Sequence, residues 1–161
     1  MIEYEYSFIV KELKPYLDYC EQNKFEKISE TYQIRELYKN RNQILARITT
    51  EIIEDKQYTV LDFKDDNDSD VILKQSRETI PLVITNENRE AIDSILNILG
   101  YEVKKILKRN RIVYVNNCVK FELDHYMEPE ESCVVAIEGE KEEVDKIYQE
   151  IVGFDNKISV N

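Results

Sequence analysis

Glycine is scarce in this chain, three residues in 161, so a Gly-rich loop cradling phosphates with backbone N–H groups is excluded. Cysteine is scarce too. Cys20, Cys118 and Cys133 are odd in number and unclustered, which argues against a disulfide framework or a zinc knuckle and for a reduced, cytoplasmic protein. No apolar run is long enough to span a membrane. The first five residues already carry two acids, unlike the basic-then-apolar start of a secretory signal. Basic residues number 22 against 33 acids, a net charge of −11. A general nucleic-acid binder needs a basic surface, so neither nucleic acid nor membrane is an expected partner. A local basic pocket is compatible with that total, because the field at a point is set by nearby charges.

What is present is patterned. Hydrophobic residues make up 42% of the chain, too many for a disordered composition. The length suits one domain, 1–161, with a single sizeable core, as monomer or homodimer. Three segments show helical spacing: Leu13, Tyr16, Leu17 and Cys20; Ile92, Ile95, Leu96 and Leu99; Val144, Ile147, Tyr148 and Ile151. Gly100 and Gly153 follow the last two as C-terminal caps would. Pro15 places the start of the first helix near Lys14, or kinks it there.

The remainder reads as eight strands, at 2–10, 27–39, 43–54, 57–64, 71–84, 102–115, 118–126 and 133–139. Asn116-Asn117 is a two-residue hairpin signal. The run from Asp65 to Asp70 lacks the glycine and terminal glutamate of a calcium loop and reads as a solvated turn.

Strand faces alternate. Glu3 and Glu5 point one way, Tyr4, Tyr6 and Phe8 the other. Lys105, Arg109 and Arg111 share a face opposite Ile106, Ile112 and Tyr114. Lys120, Glu122 and Asp124 oppose Val119, Phe121 and Leu123, and Ala136 and Glu138 oppose Val135 and Ile137. Arg77 and Glu78, being adjacent, cannot both face inward. His125, beside Asp124, faces away from it as a structural or exposed residue. Three amphipathic helices need an apolar surface to cover. If they cover the outside of a closed sheet, the charged faces turn inward. The expected fold is α+β, an eight-stranded antiparallel β-barrel, or tunnel, with a polar lumen and three helices outside.

Several strands then resemble known signatures. Glu3-Tyr4-Glu5 resembles the acids of Glu-x-Glu-x-Lys, and Leu45-Ala46-Arg47-Ile48-Thr49 resembles Leu-Arg-Ile-Arg. Val60-Leu61-Asp62-Phe63-Lys64 resembles Leu-Thr-Leu-Lys. Arg109-Asn110-Arg111-Ile112-Val113-Tyr114 resembles Lys-x-Arg-x-x-Tyr, Leu123-Asp124 a following Leu-Asp, and Ala136-Ile137-Glu138 the motif Glu-Ile-Glu. In this order they resemble the CYTH proteins, or triphosphate tunnel metalloenzymes, which include class IV adenylate cyclase, thiamine triphosphatase and inorganic tripolyphosphatase. The resemblance implies a tunnel that binds a triphosphate-bearing small molecule and a divalent metal. Three positions depart from it: Ser7 for lysine, Thr49 for arginine and Ala136 for glutamate.

A triphosphate needs several converging cations, and Arg47, Lys64, Arg109 and Arg111 are the candidates; arginine's planar fork suits phosphate oxygens. Mg²⁺ or Mn²⁺ prefers carboxylate oxygens, which Glu3, Glu5, Asp124 and Glu138 supply. Glu3 and Glu5 are also the candidate catalytic carboxylates. The expected activity is a phosphohydrolase acting on inorganic, nucleoside or thiamine triphosphate. A non-catalytic phosphoanion-binding module of the same fold, a class IV-type cyclase, and a structural barrel with solvated charges stay open at this point.

Overall fold

The computed structural model describes residues 2–66 and 73–157; residues 67–70 of the Asp65–Asp70 turn and the first two of strand 71–84 lie outside them. Nine strands and three α-helices follow in order: β1 (Ile2–Val10), α1 (Lys14–Gln22), β2 (Glu26–Lys39), β3 (Ile44–Ile53), β4 (Lys56–Asp66), β5 (Leu73–Glu78), β6 (Leu82–Ile84), α2 (Arg89–Ile98), β7 (Glu102–Val115), β8 (Val119–Glu128), β9 (Ser132–Gly139) and α3 (Lys141–Ile151), before a 3₁₀ turn at Phe154–Lys157. The strand expected over 71–84 is two strands. Pro81, which has no N–H to donate, sits between them, and β5 and β6 pair with successive stretches of β4.

Every strand pairing is antiparallel, in the order β3-β2-β7-β8-β9-β1-β5-β4, and a β3–β4 ladder closes the ring. This is the closed eight-stranded barrel expected from the alternation, with β6 added as a ninth strand along β4. The β7–β8 connection spans 116–118, one residue longer than the Asn-Asn pair suggested. Asn116 Oδ1 accepts from the backbone N–H groups of Cys118 and Val119, the local bonding that lets asparagine replace backbone in a turn. α1 begins at Lys14 with Pro15 in its first turn, where a missing N–H is harmless. α2 ends in a left-handed Gly100, and Tyr101 N–H returns to Leu96 O at 2.9 Å.

The apolar residues form two outer layers rather than the single core expected. Phe121, Leu123, Val135 and Ile137, from the outer faces of β8 and β9, are sealed under α1 and α3 by Tyr16, Cys20, Val144 and Ile151. Ala46, Ile48 and Leu61 of β3 and β4 are covered by Ile92 and Leu96 of α2. The division has a physical cause. The residues alternating with these apolar ones are charged, so the barrel interior cannot serve as the hydrophobic core. His125 pairs with Glu131 at 3.2 Å near the surface.

Candidate functional site

The alternation on the strands delivers charged side chains to one chamber of about 280 Å³ inside the barrel. Six cationic residues line it: Arg35, Arg47, Lys64, Arg109, Arg111 and Lys120. Five carboxylates join them: Glu5, Glu78, Glu122, Asp124 and Glu138. Asp62, bidentate on Arg47, adds a sixth acid beside them, so the interior is a mixed, nearly balanced set of charges within a chain of net charge −11. A second chamber of about 360 Å³ shares Arg35, Arg111, Lys120 and Glu122 with the first. Its opening is more apolar, with Ile28, Tyr58, Val60 and Pro81 in the wall.

The cations differ in how they are held. Arg111 is the most constrained. Its Nε and Nη2 donate to the two oxygens of Asp124 at 2.7 and 2.8 Å, and Nη1 donates to Glu122 at 2.7 Å. Burial opposes its charge, but Glu122 and Asp124 outweigh that and hold it firmly protonated. Arg47 lies bidentate on Asp62, with Glu78 at 3.4 Å. Lys64 stands 3.9 Å from Glu5 and 3.8 Å from Glu78.

Arg109 is different. Its Nε donates to Gln33 at 2.9 Å and Nη1 to the Tyr126 hydroxyl at 2.7 Å. Asp124 is 3.7 Å away. Its Nη2 is buried and has no hydrogen-bond partner, although the residue is only 2% exposed. Burial, then neighbouring Arg111, press its pKa down from the ordinary arginine value.

Carboxylates gather on the β1, β8 and β9 side. Oxygens of Glu5, Glu122 and Glu138 lie within 4.8 Å of one another. Burial pushes Glu138 well above the usual carboxylate range, and Glu122 and then Glu5 add to this. Lys120 donates at 3.2 Å, yet a single ammonium does not offset burial beside two carboxylates. Burial also opposes the charge on Glu122, but Arg111 and Lys120 outweigh it and keep Glu122 ionised. Burial and its neighbours therefore favour the protonated form of Glu138, and three carboxylates are a donor set suited to hard ions such as Mg²⁺ or Mn²⁺.

The structure places the sequence candidates as follows. Arg47, Lys64, Arg109 and Arg111 all face the chamber, as do Glu5, Asp124 and Glu138. Asp124 stands outside the three-carboxylate cluster, because Arg111 engages both of its oxygens. Glu3 lines a shallow hollow at the end of the tunnel, with Lys120 and Glu138. Of the adjacent Arg77 and Glu78, Glu78 turns inward and Arg77 pairs outside with Asp65. Arg35, Glu78, Lys120 and Glu122 line the chamber as well and are not among the sequence candidates. Lys120 and Glu122 were legible from alternation around Asp124. Arg35 carried no motif, only the parity of Gln33 on β2.

Ser7, Thr49 and Ala136 also sit on the tunnel walls. Thr49 Oγ1 accepts from Arg35 Nε at 2.9 Å.

No family model matches the sequence, and no curated protein matches it. Solved structures do match in shape. The PH1012 protein of Pyrococcus horikoshii superposes with a TM-score of 0.72 at 20% identity, over 98% of this chain and 92% of that one. HpAC1 of Hippeastrum, described as a putative adenylyl cyclase with a dominant triphosphatase activity, gives 0.68 at 12% identity, covering 96% and 88%. A chain of the Schizosaccharomyces pombe Mediator head module gives 0.69 at 8% identity, covering 96% of each. The breadth of that set separates fold from function. What these likenesses and the closed polar barrel establish is that this chain has the fold of the CYTH, or triphosphate tunnel, proteins that its strand motifs resemble.

Proposed function

We propose that the chain binds a triphosphate-bearing small molecule and a divalent cation, Mg²⁺ or Mn²⁺, in the tunnel and hydrolyses a phosphoanhydride bond. The observation that carries this reading is the unpartnered, buried Nη2 of Arg109. Buried donors are almost always paired. This one lines a chamber where Arg35, Arg47, Lys64 and Arg111 also converge, and a phosphate oxygen supplies the missing acceptor in the geometry that arginine's fork suits.

Each part of the wall then has a role. Arg109 and Arg35 offer free donors that orient the phosphates. Arg47 and Arg111, clamped by Asp62 and Asp124, keep positive potential in place without rearranging during reaction, the condition under which electrostatic stabilisation is most effective. Lys64 holds no hydrogen bond among the described residues and stands about a bond length too far from its carboxylates, so its ammonium is free to turn to the phosphate chain. Glu5, Glu122 and Glu138 would hold the cation, which when bound neutralises phosphoryl oxygens and lowers the pKa of water. Glu3, which lines the hollow with Lys120 and Glu138, would serve as a second carboxylate, accepting a proton from water that enters there. The apolar wall of the second chamber suits the organic group of a substituted triphosphate.

Phosphate release from tripolyphosphate and from ATP, with Mg²⁺ or Mn²⁺, tests the reading. Wild type should release phosphate, and Glu5→Gln combined with Glu138→Gln should abolish release. Formation of a cyclic nucleotide from ATP would identify a cyclase instead. A second reading, a phosphoanion-binding module, draws support from Arg111, which ties down both Glu122 and Asp124. Tight tripolyphosphate binding in calorimetry without turnover would favour it.

A further inference from the structure

Arg35 differs from the other cations of the tunnel. Arg47 is held by Asp62, and Arg111 by Asp124 and Glu122; Lys64 and Lys120 each face carboxylates. Among the described residues, Arg35 has no carboxylate within ion-pair distance, and its one hydrogen bond runs from Nε to Thr49 Oγ1 at 2.9 Å. Its two terminal Nη groups have no acceptor among the described residues. Arg35 lines both chambers and so stands at their junction. It is the direct cross-strand partner of Thr49 in the β2–β3 ladder, the position where the strand signature would carry a second arginine.

We infer that Arg35 supplies from β2 the guanidinium that β3 lacks at Thr49, binding a phosphate oxygen of the substrate at the junction of the two chambers, with the Thr49 hydroxyl aiming it. The inference rests on the triphosphate reading of the tunnel. Thr49 fixes one edge of the planar guanidinium and leaves the Nη edge open, which is the edge that grips an oxyanion in a fork. Burial, and then Arg109, Arg47 and Arg111, oppose the charge of Arg35. An arginine retained for stability would have an acid beside it. Its neighbours oppose this one, with only Glu122 favouring its charge, and a bound anion would relieve that opposition. Arg111 and Lys120 also line both chambers but are held by carboxylates, so Arg35 is the junction cation with an open donor edge for the phosphate that carries the organic group, if that group occupies the second chamber.

The test uses metal-free calorimetry with tripolyphosphate, together with melting temperatures, on the full chain. The variants are Arg35→Gln, Arg35→Lys and the exchange Arg35→Thr with Thr49→Arg. Arg35→Gln should melt higher than wild type without ligand, because like-charge repulsion is removed. It should also bind tripolyphosphate about 10- to 100-fold more weakly, the loss of one or two charged hydrogen bonds. Arg35→Lys should keep the charge but lose the fork and fall between the two. The exchange variant should regain most of the affinity.

Wild-type affinity in Arg35→Gln overturns the inference. So does a lowered melting temperature in Arg35→Gln with no recovery in the exchange variant, which would make Arg35 a structural residue. A wild-type chain that binds neither tripolyphosphate nor ATP, with or without Mn²⁺, overturns the triphosphate reading itself and this inference with it. That result differs from a wild type that binds and an Arg35→Gln variant that binds equally well.

Discussion

Ser7 and Ala136 are direct cross-strand partners in the β1–β9 ladder. Two of the three departures from the tunnel signatures therefore meet at one point of the wall. One removes a cation, the other an anion, so the local charge balance is unchanged. The next strand places Glu122 opposite Ala136. Ala136→Glu alone should bring a further carboxylate against Glu122 and lower the melting temperature. Ser7→Lys added to it should restore the loss. The coupling in a double-mutant cycle is expected at about 0.5–3 kcal/mol, measured by denaturant unfolding; additive effects would mean that the two sites do not communicate.

Glu138 sets a pH dependence. Burial, and then Glu122 and Glu5, raise its pKa above the 4.5 of a free glutamate. Its stabilising contribution is whole below about pH 4.5 and is lost as pH rises towards its folded-state pKa. Metal-free protein should accordingly melt at a lower temperature at pH 8 than at pH 5. Glu138→Gln should melt higher than wild type at pH 8 and show a flatter profile, by about 2–4 °C for each kcal/mol of strain relieved. The shift of Glu122 has the opposite sign, and its loss falls on acidification below about pH 4.5, outside this window. A thermal-shift series across pH in the presence of chelator measures both.

Lys120 is the cation already present among the carboxylates, 3.2 Å from Glu138 and 3.9 Å from Glu122. A divalent ion arriving there competes with it. Lys120→Met should tighten Mn²⁺ binding in the absence of phosphate by about tenfold, the equivalent of 1.4 kcal/mol, and should weaken tripolyphosphate binding. Titration calorimetry with each ligand separately reads the two effects.

Tyr58 is 54% exposed and lines the apolar second chamber. An aromatic ring there offers a stacking surface to a planar organic group. Tyr58→Ala should weaken ATP binding by about 1–3 kcal/mol while leaving tripolyphosphate unaffected. Equal losses for both ligands would place the organic group elsewhere.

Gly139 ends β9 with φ of 154°, and a Cβ at that position would lie 2.3 Å from the backbone oxygen of Cys118. The obstacle is backbone at the end of the β7–β8 connection, pinned by Asn116, so it has little room to yield. Gly139→Ala should destabilise the chain by about 1–3 kcal/mol, seen as a lower denaturation midpoint at unchanged slope.

The barrel was legible because its strands carry two kinds of face. Phe121, Leu123, Val135 and Ile137 alternate with Lys120, Glu122, Ala136 and Glu138, and helices with apolar stripes at Val144, Ile147 and Ile151 required a covered outer wall. The extra strand was less legible. Residues 71–84 keep strand-forming composition, and the break at Pro81 is a local event within it. The single core expected from length became two layers, because the polar lumen separates the apolar faces.

The site was legible in part. Arg47, Arg109 and Arg111 stand in recognisable motifs. Which carboxylates cluster was not, because Asp124 and Glu122 alternate on one strand with equal claims; Arg111 takes both oxygens of Asp124 but bonds only one of Glu122, and Glu122 lies beside Glu5 and Glu138. Arg35 was invisible for a related reason. Its partner Thr49 is 14 residues away, and a cross-strand pairing depends on register, which no local pattern states.

The order of apolar and charged residues alone determined that this chain forms strands with a wet inner face and a dry outer one, since side-chain period and burial are local consequences of sequence. Ring closure by β3 and β4, the engagement of Asp124 by Arg111, the clustering of Glu5, Glu122 and Glu138, and the isolation of Arg35 from the carboxylates described were decided only in three dimensions. They arise from distances between strands remote in sequence, and charge–charge energies depend on those distances and on burial.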